Sequence, residues 1–132
     1  MIFVDTSFWV ALRNRRDDHH DAALWLFRSK AASPLLSTNH VRGETWTFLR
    51  RRAGHGSAAD FLDVIEEAAR LQVEHVDTAT EDDALGWLRR HDEREYSFVD
   101  ATSFALMRRL GVREAFAFDG DFAAAGFVEL RP

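Results

Sequence analysis

Five carboxylates in this 132-residue chain occupy positions from which side chains can do chemistry. Asp5 ends the apolar run Ile2–Val4, Glu44 lies within the stretch 39–49, Asp100 stands in HDEREYSFVDATSFALMRRL, and Asp119 and Asp121 follow the apolar run 115–118. Asp100 is the most telling of them. From Phe98 onward, Val99, Ala101, Phe104, Ala105, Leu106, Met107 and Leu110 leave little of a helix surface for water, so its carboxylate is set in a segment patterned for burial. A buried ionised carboxylate is costly unless a cation pairs with it. Helix capping is the competing explanation, because Ser97 and Asp100 have the S-x-x-D spacing that satisfies free N–H groups in a first turn. The other acidic positions weigh against capping as the whole explanation.

The elements that must position these groups alternate between strand and helix. Strands are predicted at Ile2–Val4, 35–36, 72–76, 115–118 and 127–130. Between them, a helix carries Phe8, Trp9, Ala11 and Leu12. A second runs from near Asp18 to Lys30, and a third is capped by Thr38 or Asn39 and stopped by Gly54. A fourth opens at Ser57 and Asp60, a fifth at Thr80 and Asp83, and the Asp100 helix ends at Gly111. Such alternation implies parallel pairing and right-handed crossovers, hence an α/β/α three-layer sandwich around a short parallel central sheet. In open parallel sheets the ligand crevice lies beyond the carboxyl ends of the strands. Asp5, Glu44, Asp100, Asp119 and Asp121 therefore converge on one rim.

Like charges at that density raise one another's pKa unless a cation lies among them. Oxygen donors without histidine or cysteine favour Mg2+ or Mn2+ over zinc. The chemistry this supports is phosphodiester hydrolysis, in which a metal acidifies water and steadies charge on the phosphate. The six histidines show no zinc-ligand spacing and are read as surface or structural groups.

Composition narrows the function further. A single domain covering residues 1–132 is expected, and the absence of cysteine excludes disulfides and thiolate sites. No membrane span or targeting signal is apparent, so the expected location is cytoplasmic. The net charge of -5, from 22 acidic and 17 basic residues, argues against holding nucleic acid by bulk charge. Local binding remains open, with Arg13, Arg15, Arg16, Arg50, Arg51 and Arg52 as candidate phosphate contacts on helices that border the crevice.

Together FVDTSFW, NHVRGETW, YSFVDATSFALM and AFDGDF, spread in this order over almost the whole chain, resemble the PIN domain of the VapC toxins. The resemblance implies a magnesium-dependent endoribonuclease of a type II toxin-antitoxin pair, a homodimer held silent by a VapB-type antitoxin. It places Asp5, Glu44, Asp100 and Asp119 on the family's acidic positions, Asp121 on a variable fifth, and Thr6 and Ser7 on its hydroxyl pair. Within the family, HDEREYSFVDATSF and AFDGDFAAAGFVELRP look most like the mycobacterial branch that cuts the sarcin-ricin loop of large-subunit ribosomal RNA; other branches cut transfer RNA. Two other classes fit less well. A receiver domain needs a late lysine, absent after Lys30, and a haloacid phosphatase needs a second acid where Ser7 stands. A catalytically silent PIN-like module would have lost an acidic position, and none is lost.

Overall fold

A computed structural model describes all of residues 1–132. Five short strands form one parallel sheet: β1 (Ile2–Val4), β2 (Leu35–Thr38), β3 (Leu71–Glu74), β4 (Glu114–Phe116) and β5 (Val128–Glu129). Their order is β3-β2-β1-β4-β5. The chain moves outward from β1 to β3, then returns to the other side of β1 for β4 and β5. The switch point is thus the pair β1 and β4, where open α/β sheets form their crevice.

The connecting helices are α1 (Thr6–Arg13), α2 (His20–Ser29), α3 (Asn39–Ala53), α4 (His55–Glu67), α5 (Thr78–Arg90), α6 (Phe98–Leu110) and α7 (Asp121–Ala124). Right-handed crossovers put α1 to α4 on one face of the sheet and α5 to α7 on the other. The packing agrees in the main, since α1 meets α2 and α3, α3 meets α4, and α6 meets α5 and α7, while α3 also reaches α6. The predicted α/β class and its three layers are therefore the observed architecture. A cluster of 27 buried residues fills both interfaces, with Trp9 against Phe61 on one side and Phe104 against Phe122 on the other.

Local departures from the predicted boundaries have physical causes. α4 opens at His55 after Gly54, whose φ of 93° turns the chain, so Ser57 and Asp60 lie inside the helix and do not cap it. α5 opens two residues before Thr80 because Asp77 accepts from the Thr80 N–H at 2.8 Å; Asp77, not Thr80, is the cap. Strand β4 stops at Phe116, leaving residues 117–120 as a loop, and the short α7 was not foreseen. β3 begins one residue early and ends at Glu74, while β5 pairs only over Val128–Glu129. In α6 the terminal residues Phe98 and Leu110 are 39% and 51% exposed, so burial is complete only through its middle. No helix is long and apolar enough to cross a membrane.

Candidate active site

The backbone delivers the acidic residues to one rim by four local devices. β1 ends at Val4 and Asp5 caps α1, its Oδ2 accepting from the Ser7 N–H at 3.1 Å and the Ser7 hydroxyl at 2.7 Å. The same Ser7 Oγ accepts from the Phe118 N–H at 3.0 Å, so one hydroxyl ties Asp5 to the loop after β4. Asp100 closes a capping box at the start of α6: Ser97 N–H donates to its Oδ2 at 3.0 Å, and its own N–H donates to Ser97 Oγ at 2.9 Å. Asp100 therefore caps α6 and borders the crevice at once, because one carboxylate oxygen serves the helix while the group still lines the cavity wall.

Asp119 and Asp121 are held by the turn between β4 and α7. Gly120 takes φ 83°, a left-handed conformation that L side chains adopt at a cost. Asp119 Oδ1 accepts from the Asp121 N–H at 3.2 Å. Glu129 on β5 accepts from the N–H groups of Gly120 at 3.3 Å and Ala123 at 3.0 Å, fixing the turn to the sheet. Arg94, in the loop between α5 and α6, donates to Asp121 Oδ1 at 2.9 Å and to the Asp119 carbonyl at 3.4 Å.

A cavity of about 450 Å³ lies at this rim, lined by Asp5, Thr6, Ser7, Glu44, Asp100, Asp119 and Asp121 among others. Oxygens of Asp100, Asp119 and Asp121 come within 4.8 Å of one another, a spacing that can hold one cation. Asp5 lies outside that trio but on the same wall, and its charge is felt by the cluster. Burial, with repulsion from Asp119 and Asp100 against the opposing Ser7 hydrogen bonds, raises its pKa to about 8. Burial likewise lifts Asp100 to about 6, with Asp119 and Asp121 adding repulsion. Asp119 is exposed at its residue surface, yet lost hydration around the carboxyl, then Asp121 and Glu129, push its pKa up. Without a cation, the groups resist ionisation together.

The donor set fits a hard divalent ion. All the candidate ligand atoms are carboxylate oxygens, as Mg2+ and Mn2+ prefer. Buried Thr6 adds an Oγ1 that makes no hydrogen bond within the chain. Glu44 projects from α3 into the same cavity, without a hydrogen bond or ion pair to another side chain. Of the six arginines singled out in the sequence, only Arg52 lines the wall; Arg13, Arg15, Arg16, Arg50 and Arg51 are exposed outside it.

Sequence reasoning missed Arg94, Glu129, Glu95 and His19. Glu95 and His19 line the cavity, and Arg94 and Glu129 hold its acidic turn. Arg94 and Glu95 fall within the HDEREYSF run, which carried the resemblance, but loop residues have no periodicity to reveal their direction. His19 was placed among the surface groups.

Comparison with known proteins places this geometry. The family model described as PIN domain matches residues 2–128. The chain is 58% identical over 132 residues to the 23S rRNA-specific endonuclease VapC20 of Mycobacterium tuberculosis, in strains CDC 1551 and H37Rv, covering 100% of this chain and 99% of the relative. It superposes on the crystal structure of M. tuberculosis VapC20, a sarcin-ricin loop cleaving toxin, with a TM-score of 0.95 and 55% identity over the whole of both chains. PIN nucleases are metal-dependent, and VapC toxins pair with VapB antitoxins and bind RNA. The full-length match and the carboxylate rim agree, and the chain belongs to the PIN-domain family, among its VapC toxins.

Proposed function

We propose that this chain is a Mg2+-dependent endoribonuclease toxin of a type II toxin-antitoxin pair, cutting one phosphodiester in the sarcin-ricin loop of large-subunit ribosomal RNA and so stopping translation. The observation that carries the reading is the carboxylate cluster at the switch point of a chain 58% identical, end to end, to a 23S rRNA-specific endonuclease. Asp5, Asp100, Asp119 and Asp121 would hold the cation, with Mn2+ as a substitute for Mg2+. When bound, the cation supplies charge neutralisation at the phosphate and acidification of water.

The chain's own groups do the rest. Burial and mutual repulsion raise the pKa values of Asp5 and Asp100, and a bound cation would favour the ionised form of both. Glu44, with no competing side-chain partner, orients the attacking water and accepts its proton. Asp119 closes the catalytic set of Asp5, Glu44, Asp100 and Asp119. Thr6 and Ser7 support it, Ser7 by fixing Asp5 and Thr6 by offering a hydroxyl to the bound ligands. Arg52 takes a substrate phosphate at the wall, and Arg13, Arg15, Arg16, Arg50 and Arg51 contact the RNA further out.

The reading carries a cytoplasmic location, one PIN domain over residues 1–132, a homodimer, and a VapB-type antitoxin that presents a cation to the carboxylates. Its test is incubation of the protein and Mg2+ with intact ribosomes and, separately, with total transfer RNA, followed by mapping of new ends. A single cut in the sarcin-ricin loop supports it. Transfer RNA cut with ribosomes intact would move the substrate to that class. Harmless expression of the folded protein, with neither RNA cut, would favour a silent binding module.

A further inference from the structure

One feature of the cavity wall is unrelated to the carboxylates. Phe116, Phe8, Phe118 and His19 follow one another at centroid separations of 4.3, 5.7 and 4.5 Å, with interplanar angles of 11°, 16° and 4°. This near-parallel column starts in the core, where Phe116 and Phe8 are fully buried, and ends at exposed His19. Phe118 and His19 both line the cavity that holds Asp5 and Asp100. The backbone that carries the last ring is anchored: the His19 main-chain N–H donates to Asp17 Oδ1 at 2.8 Å, and the next residue, His20, donates from Nδ1 to the Ala11 carbonyl at 2.7 Å. The His19 ring itself makes no hydrogen bond or ion pair.

Resting on the ribonuclease reading of this site, we propose that the outer ring of this column, His19 backed by Phe118, is a stacking platform for an unpaired base next to the cleaved phosphate. Proteins that read looped or single-stranded RNA hold unstacked bases on aromatic faces, and stacking tolerates any base because each has a π-face. The platform suits a net-acidic protein. Stacking supplies grip beside a carboxylate cluster that repels phosphates, and it requires a base already out of a helix. His19 is thus a positioning residue that favours loops over paired RNA.

The position of His19 admits a second role, proton donation to the departing oxygen, and the two predict different kinetics. Losing a stacking contact made equally in bound substrate and transition state raises KM and leaves kcat near its original value. Losing a proton donor lowers kcat. The test compares wild type, H19A, H19F and H19Q on ribosomes with Mg2+, and follows 2-aminopurine fluorescence in a single-stranded RNA. H19A and H19Q should raise KM about 5- to 150-fold, the range found when stacking rings are removed from single-stranded sites. H19F should restore most of the affinity, and only wild type and H19F should quench the fluorophore. A fall in kcat shared by H19A and H19F would overturn stacking, as would unchanged KM in H19A with only a lowered melting temperature. Wild type that leaves ribosomes intact would refute the substrate reading. The quenching series would then decide the platform alone, and equal quenching by H19A and wild type would remove it.

Discussion

Replacing Asp5 by Asn should stabilise the metal-free protein while abolishing cleavage. Asp5 is 2% exposed, and its pKa stands at about 8 against an ordinary 3.8. A group whose pKa is raised by folding contributes fully below its unfolded value and loses that contribution as pH rises toward the folded value. For Asp5 the loss runs from about pH 4 to pH 8. At pH 7 the span above 3.8 is about three units, and at about 1.4 kcal/mol per unit the penalty is on the order of 4 kcal/mol. Asn keeps an oxygen to accept from Ser7, so the cap survives and the penalty goes. Thermal melts in chelator should therefore place D5N roughly 15 °C above wild type at pH 7. At pH 4 the two should differ by less than about 1 kcal/mol. Added Mg2+ should narrow the gap at pH 7, since ligand binding stabilises the wild type more. A D5N protein less stable than wild type at pH 7 and unresponsive to pH would show that Asp5 is a core partner, and the electrostatic reasoning would be wrong.

Two further substitutions probe the groups around Asp5. D100N should retain the capping box through its amide oxygen, whereas D100A leaves the Ser97 N–H without its partner and should be about 1 kcal/mol less stable than D100N in urea melts; both should be inactive. R94A removes a half-exposed ion pair, so global stability should change by less than about 1 kcal/mol, while calorimetric affinity for Mn2+ should rise by up to about fivefold as a competing cation leaves Asp121.

Much of the site was legible in sequence because its carboxylates stand at positions where chain direction is forced. A three-residue apolar run ending in Asp5, and a capping box ahead of the apolar face of α6, each fix where a side chain must point. The parallel α/β order then brings them together. Less legible was whatever depends on choice between neighbouring candidates: Asp77 and Thr80 both qualify to open α5, and the hydrogen bond from the Thr80 N–H to the Asp77 carboxylate makes Asp77 the cap. Gly54 likewise starts α4 by a backbone conformation that no pattern of apolar residues announces. Contacts between loops were least legible. Arg94 meets Asp121 and His19 meets Phe118 across long stretches of chain, and no periodicity links them.

Whether the acidic rim is a divalent metal centre can be read from anomalous diffraction by crystals grown with Mn2+. A peak is expected among the carboxylates of Asp100, Asp119 and Asp121, within reach of Asp5, and it should disappear in D100N. Crystals of wild type in millimolar Mn2+ with no peak at this rim, and carboxylates still held as hydrogen-bonded caps, would contradict a metal centre there.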